Sequence, residues 1–223
     1  MKKLAVLFAF VAVFFHSGCG FVSLLGTPSR SERKIPAEYD LAEHTDQKIL
    51  VLVNQPAWLN AQVNLRYYLT RAINKNLTTK VGIQPDYLVP YNELSEFRSN
   101  QPDFSLLSPM QVGEALHADM VLLVIIENYQ LHELPETDYY KGALDAQAAL
   151  IETATGERVW PDSTKNKSIE VGFEVEPRGR EAGIARLAAA CAHCIVRCLY
   201  NCPKNKFKVT DDRSGIGWKN WKK

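Results

Sequence analysis

Four cysteines near the end of the chain are the residues whose type and spacing come closest to a chemical site. Cys191, Cys194, Cys198 and Cys202 form a C-x2-C-x3-C-x3-C run, and four thiolates are a common ligand set for zinc. On a straight helix Cys191 and Cys202 would lie about 16 Å apart, whereas each ligand of a zinc ion lies about 2.3 Å from it. All four also fall on the apolar stripe of the same predicted helix. The pattern therefore favours thiols packed in a core, with disulfides or a metal site as the alternatives.

No other group of residues has the spacing of a catalytic or cofactor site. The histidines are scattered over the predicted domain and its flanks: His44, His117, His132 and His193. Asp119 begins the strongest predicted strand, where a carboxylate could be catalytic, but a carboxylate that closes the helix-to-strand turn through the backbone is the favoured interpretation. The chain has no Gly-rich phosphate loop, no G-x-S-x-G elbow and no HExxH motif. The sequence therefore predicts no catalytic residue, no metal ligand and no cofactor.

Residues 1–18 have the parts of an export signal. Two lysines precede a twelve-residue apolar run at residues 4–15, which as a helix spans about 18 Å and is too short for a bilayer core of about 30 Å. Ser17-Gly18-Cys19 resembles the lipobox of bacterial lipoproteins, although His16 stands where that motif has an aliphatic residue. The resemblance implies that Cys19 becomes the lipidated, palmitate-bearing N-terminus, which anchors the protein to a bacterial membrane facing the periplasm. An ordinary secretory signal is the alternative.

Composition divides the rest of the chain into three parts. Residues 19–47 contain glycine, proline, serine and charged residues with little apolar periodicity, which predicts a flexible linker after the lipidated cysteine. Residues 48–203 carry the apolar patterns of one folded domain. Residues 204–223 have a net charge of +5 and include Trp218 and Trp221, which suits either an anionic membrane surface or a solvated tail.

The apolar patterns of the central part predict an α/β domain with one mixed sheet. Continuous apolar runs predict strands, recurrence at three and four residues predicts helices, and Thr153-Ala154-Thr155-Gly156 predicts a hairpin turn. Ser108 and Pro109 have the residue types of a helix start. The predicted order is β-α-β-α-β-β-β-α, with strands at 48–54, 87–90, 119–130, 145–152 and 157–160 continuing into 167–175, and with helices at 65–77, 109–117 and 184–202.

Three phrases of this sequence resemble a group of bacterial envelope proteins. They are KILVLVN at 48–54, ALHADMVLLVIIENYQL at 115–131 and ALIETATGERVW at 149–160. They are similar to the curli-export lipoprotein family, the amino-terminal domain of the Tol-Pal beta-propeller protein and lipoproteins associated with ABC-type transport. Ala118-Asp119 resembles the "GAD" entry of that group to its central strand, with His117 where glycine is usual. The resemblance implies an envelope location and a role in an envelope or transport complex.

Charge and aromatic content predict a protein that binds other proteins. Removal of Lys2 and Lys3 from 26 basic residues leaves 24 against 25 acidic ones, so the exported part lacks the basic excess typical of nucleic-acid binding. Tyr139 and Tyr140 fall in a polar segment between two predicted strands, where aromatic side chains suit a partner-binding tip. We therefore expect an accessory or assembly component that contacts envelope proteins, with homo-oligomerisation open. The alternatives are an envelope enzyme using a carboxylate such as Asp119, or a subunit of an export pore.

Overall fold

Apolar runs of the sequence form the strands of one mixed sheet. The computed structural model describes residues 33–135 and 137–213, so the predicted signal peptide, Cys19, Trp218 and Trp221 lie outside the described residues. The strands are β1 (Lys34–Ile35), β2 (Ile49–Asn54), β3 (Met120–Glu133), β4 (Tyr140–Glu152), β5 (Arg158–Trp160), β6 (Lys167–Glu176) and β7 (Cys202–Pro203). The helices are α1 (Leu65–Asn76), α2 (Tyr91–Asn100), α3 (Pro109–Ala115), α4 (Arg180–Val196) and α5 (Lys204–Phe207).

The five-stranded sheet has a parallel pair at one side and antiparallel pairs at the other. β2 pairs in parallel with β3, from Ile49 opposite Met120 to Asn54 opposite Ile125. β3 and β4 then form an antiparallel hairpin, and β4 pairs with both β5 and β6. A parallel pair needs a long crossover, and α1, α2 and α3 occupy that connection. The predicted α/β class with a single mixed sheet is confirmed.

One face of the sheet is covered by α1 and α4. Leu65, Leu69 and Ile73 follow one another every four residues along α1, so they share a face, and all three are completely buried. α1 begins there because the Asn64 side chain accepts a hydrogen bond from the Tyr67 backbone N–H. α4 packs beside α1, and both helices contribute to the larger hydrophobic core.

The other face is covered only over β2 and the first half of β3. Leu50, Leu52 and Val121 point from the strands into a smaller core, where they meet Leu94 of α2 and Val112 of α3. α3 starts at Pro109, as the sequence predicts, and the preceding serine and Gln111 form a capping box. The sheet is therefore sandwiched between helices at its parallel side.

The folded domain is larger than residues 48–203. The predicted linker, residues 19–47, is in its last part a packed segment: β1 pairs with β7, Leu41 is completely buried, and Trp160 Nε1 donates to Glu38 at 2.9 Å. The predicted tail, residues 204–223, begins with α5 and then forms a bridge to β6. Both corrections arise from pairing between distant segments, which local composition does not report.

Three predicted elements have different limits in the structure. Residues 87–90 form no strand but a single bridge between Leu88 and Ile49, after a short 3₁₀ helix. The predicted strand from 157 to 175 is two strands, which both pair with β4. The last helix ends at Val196, so Cys198 and Cys202 lie beyond it.

The turn before β3 explains one departure from the resembled motif. His117, which stands where that motif usually has glycine, has a φ of 52°. This left-handed region favours glycine because a Cβ atom crowds the following carbonyl oxygen. The backbone thus keeps the conformation that glycine would adopt freely.

Candidate functional site

Asp119 has a structural position at the amino end of the parallel strands. Its carboxylate Oδ2 accepts a hydrogen bond from the Lys48 backbone N–H at 2.7 Å, and its own backbone N–H donates to the Lys48 carbonyl at 2.7 Å. These bonds tie the start of β3 to the residue before β2. The turn-closing interpretation of Asp119 is therefore confirmed.

The four cysteines are free thiols inside the core. Each of them is at most 4% exposed. Burial raises the pKa of Cys194 to about 12 and that of Cys198 to about 11. Among residues 33–135 and 137–213, no three His, Cys, Asp or Glu side chains are arranged to hold a metal ion. The thiols thus pack as small apolar groups.

His193 is placed differently from the sequence-based expectation, which put it on the polar side of the last helix. Its side chain is buried, with Nδ1 at 2.8 Å from Lys80 Nζ and Nε2 at 3.3 Å from the Phe207 carbonyl oxygen. Because Lys80 can only donate, Nδ1 accepts from it and Nε2–H donates to Phe207. Burial, with the positive charge of Lys80, lowers the pKa of His193. The histidine thus links three distant segments.

The two tyrosines predicted to bind a partner have different environments. Tyr139 lies at the tip of the β3–β4 hairpin and is 44% exposed. Tyr140 begins β4, packs against the core, and its hydroxyl donates to Glu133 at 3.3 Å. A backbone bond from Leu134 N–H to the Tyr139 carbonyl closes the tip at 2.7 Å. Of the pair, Tyr139 is the side chain presented to solvent.

A cleft at the carboxyl ends of β2 and β3 is the feature that sequence reasoning missed. It has a volume of about 520 Å³ and lies between the sheet and residues 101–109. Apolar side chains line it, including Leu52, Leu123 and Leu107. The ends of parallel strands are where α/β domains commonly bind ligands.

Two arginines enter this cleft from different helices, and we call it the arginine cleft. Arg66 is in the first turn of α1 and Arg98 is in the last turn of α2. One terminal nitrogen of Arg66 donates to the Gln55 carbonyl oxygen at 3.1 Å, while its Nε is buried without a hydrogen-bond acceptor in the described part of the chain. The Arg98 guanidinium lies 4.7 Å from the centre of the Phe104 ring.

Electrostatics in the arginine cleft are unfavourable for the two guanidinium groups. Burial lowers the pKa of Arg98 to about 10, and the positive charge of Arg66 lowers it further. Burial also lowers the pKa of Arg66. Both side chains remain protonated at neutral pH, so two partly desolvated positive charges share one cleft.

Comparison with known proteins finds similar folds without a family. No family model and no curated protein matches this chain. Lipoprotein GNA1162 from Neisseria meningitidis is similar in structure, with 18% identity over 67% of this chain and 98% of its own and a TM-score of 0.41. The PelC dodecamer from Paraburkholderia phytofirmans has 12% identity, covers 74% and 92%, and has a TM-score of 0.39.

A third similar structure is the LpoB C-terminal domain from Salmonella enterica. It has 16% identity over 63% of this chain and 85% of its own, with a TM-score of 0.34. Solved structures similar to this chain thus include bacterial lipoproteins. The finer resemblance to curli-export, Tol-Pal and transport-associated proteins stays a prediction. Within residues 33–135 and 137–213, no helix has the length and apolar character needed to cross a bilayer.

Proposed function

We propose that this chain is a lipid-anchored protein of the bacterial envelope that acts by binding other envelope proteins, and not by catalysis. Cys19 is the proposed attachment point, on the strength of the apolar run at residues 4–15 and the lipobox-like sequence before it. The proposed contact surface is the tip of the β3–β4 hairpin. In this role the domain is an accessory or assembly component of an envelope or transport complex.

The observation that carries the binding role is an exposed aromatic side chain on a rigid support. β3 and β4 pair along their whole length, while β2 covers only the first six residues of β3. Beyond β2, the hairpin is supported by β6 on its other edge. Tyr139, which is 44% exposed, stands at the end of this support.

A rigid tip binds at lower entropic cost than a flexible loop. Few degrees of freedom are lost when a paired strand end is immobilised, so more of the contact energy remains as affinity. Tyrosine brings a large apolar ring with a polar hydroxyl, which is why it is frequent among interface hot spots. Val175 is 47% exposed and lies at the same end of the sheet, because Tyr140 pairs with Glu176.

The anchor is tested by the substitution Cys19→Ala in the full chain. We expect the domain to leave the membrane fraction or to accumulate as a precursor, whereas Ser23→Ala, four residues further along, should leave fractionation unchanged. Intact mass of the mature wild type should include the acyl chains on Cys19. A mature mass without lipid, beginning at another residue, rejects the anchor.

The contact surface is tested by a photo-crosslinking residue at position 139 in the native envelope. Position 87 is the matched control, since Tyr87 is 39% exposed and Tyr139 44%. Leu88 bridges Ile49, which pairs with the first residue of β3, so the two tyrosines lie at opposite ends of this strand. We expect discrete protein adducts at position 139 only, and Tyr139→Ala should remove the adducted protein from purified complexes. Equal adducts at both positions, or none at 139, reject the tip as the contact.

A further inference from the structure

Charge balance sets the arginine cleft apart from the rest of the domain. Among the residues that the structure describes, neither Arg66 nor Arg98 has a carboxylate within 4.0 Å. The residues that line the cleft include no Asp, Glu, Lys or His besides these two arginines. Their partners are backbone carbonyl oxygens and one aromatic ring, which leave the positive charge uncompensated.

An uncompensated charge in a half-buried place is costly to the fold. Partial burial removes water from the guanidinium groups, and their mutual repulsion adds to that cost. The buried Nε–H of Arg66, which has no acceptor in the described chain, adds an unsatisfied donor. An anion bound between the two arginines would relieve all three penalties at once.

The walls of the arginine cleft define the remainder of the ligand. Leu52, Leu123 and Ile125 form the sheet side, and Leu107 and Val112 form the opposite side. The volume, about 520 Å³, is in the range of sites for small organic molecules. Two exposed apolar side chains, Trp58 at 55% and Leu106 at 79%, directly adjoin lining residues in the chain.

We propose that the arginine cleft binds a small amphiphile whose carboxylate or phosphate group lies between Arg66 and Arg98 and whose apolar chain packs on Leu52, Leu107 and Leu123. The planar guanidinium group suits both head groups because its N–H donors match two oxygens at once. An inorganic anion would leave the apolar walls uncovered, and a neutral apolar molecule would leave the charges unpaired. This site is independent of the anchor and of the hairpin tip.

The test is calorimetric titration of the purified full chain in a nonionic detergent with hexyl phosphate, hexanoate, hexanol and inorganic phosphate. We expect at least one of the two amphiphilic anions to bind about tenfold or more tightly than both hexanol and inorganic phosphate. The comparison of hexyl phosphate with hexanoate identifies the head group. If hexanol or inorganic phosphate binds as tightly as the better amphiphile, or if nothing binds, the proposal is rejected.

Variants separate the head-group site from the apolar walls. Arg66→Gln and Arg98→Gln should each weaken binding of the better amphiphile by about tenfold or more. Arg71→Gln is the matched control, since Arg71 is an exposed arginine of the same helix outside the cleft, and it should change affinity less than about twofold. Binding that survives the double variant Arg66→Gln/Arg98→Gln overturns the proposal.

A second variant keeps the test valid if an arginine variant fails to fold. Ser105 is an exposed lining residue, so Ser105→Trp fills the cleft without altering either charge. We expect this variant to unfold at the wild-type temperature and to lose amphiphile binding by about tenfold or more, since the apolar chain loses its place. Unchanged amphiphile affinity in Ser105→Trp would show that the ligand lies elsewhere.

Discussion

Arginine side chains occur in two regions of this domain with opposite surroundings. Beside α4, Arg186 forms hydrogen bonds to Asp211, the shortest at 2.8 Å, and Arg197 forms an ion pair with Asp212. In the arginine cleft, Arg66 and Arg98 contact backbone carbonyls and an aromatic ring. The first group closes the fold, whereas the second group carries positive charge that the described chain does not balance.

The paired region holds the C-terminal segment in place. Residues 209–213 run along β6, where the Gly172 N–H donates to the Asp211 carbonyl and the Arg213 N–H donates to the Glu170 carbonyl. The ion pairs of this segment are short and shielded from water. Loss of one member of a buried pair leaves the other charge desolvated, which is strongly destabilising.

The unpaired region shows where stability is not the reason for a charge. A desolvated arginine without a carboxylate contributes little to folding and can oppose it. The difference teaches that charge pairing, and not burial alone, separates structural arginines from arginines suited to a ligand. Four predictions test this difference, from the largest expected effect to the smallest.

The largest effect is expected in thiol reactivity, because the paired region is closed and the cleft is open. Cys191, Cys194, Cys198 and Cys202 are buried, and a thiol reagent needs an accessible thiolate. In the variant Ser105→Cys, we expect the new thiol at the cleft to react roughly 1,000-fold faster than these four, which require opening of the core. Labelling followed by peptide mass mapping measures each rate. Similar rates at all positions would show that the α4 region is not closed.

The second effect is the loss of a buried charge partner. Asp212→Ala should lower the free energy of unfolding by about 3–5 kcal/mol, since Arg197 stays buried without its carboxylate. Urea unfolding measures this change, with Asp86→Ala as the control because Asp86 is exposed. A loss below about 1 kcal/mol would place the pair among surface ion pairs and remove the contrast.

The third effect is a pH dependence that belongs to the paired region. Hydrogen bonds from Arg178, and to a lesser extent from Arg186, lower the pKa of Glu176 from its ordinary 4.5 to about 2. Because the folded-state pKa is depressed, the carboxylate stabilises the fold above pH 4.5, and this stabilisation is lost as the pH falls toward 2.

The variant Glu176→Gln isolates this pH effect. Its free energy of unfolding should vary less between pH 5 and pH 2.5 than that of the wild type, because the titrating group is gone. At neutral pH its loss should be smaller than that of Asp212→Ala, since Arg186 keeps Asp211 and the Arg178 side chain is 73% exposed. An unchanged pH profile would assign the acid sensitivity to other carboxylates.

The smallest effect on stability is expected in the arginine cleft. Arg98→Gln removes an unpaired charge and a ring contact, so the free energy of unfolding should change by less than about 1 kcal/mol in either direction. Urea unfolding beside Asp212→Ala compares the two regions directly. A loss as large as that of Asp212→Ala would make Arg98 a structural residue and break the comparison.

Much of the scaffold follows from local patterns. The run Ile49–Asn54 is apolar without alternation because both its faces are covered, and it forms β2 as predicted. Ser108 and Pro109 start α3 because the serine side chain accepts a backbone N–H and proline needs none. Four cysteines at apolar positions are buried, also as predicted. These features depend on contacts within a few residues or on the period of one element.

Contacts between distant residues were decided only by the tertiary structure. The composition of residues 34–47 predicts a linker, yet β1 pairs with β7 more than 160 residues away, and nothing in a local pattern reports such pairing. His193 has the type of a polar surface residue and is buried because Lys80 and α5 cover it. The register of the sheet and the packing of its edges set these positions.

The sequence by itself determined the order of the elements, the class of the fold and the residue types suited to export and anchoring. Only the tertiary structure made the arginine cleft, since Arg66 and Arg98 belong to different helices and each has the spacing of a solvent-facing position. They meet because the long crossover between parallel strands returns α1 and α2 to the same edge of the sheet. Periodicity describes one helix at a time, so it cannot report which charges two helices bring together, or whether a carboxylate meets them there.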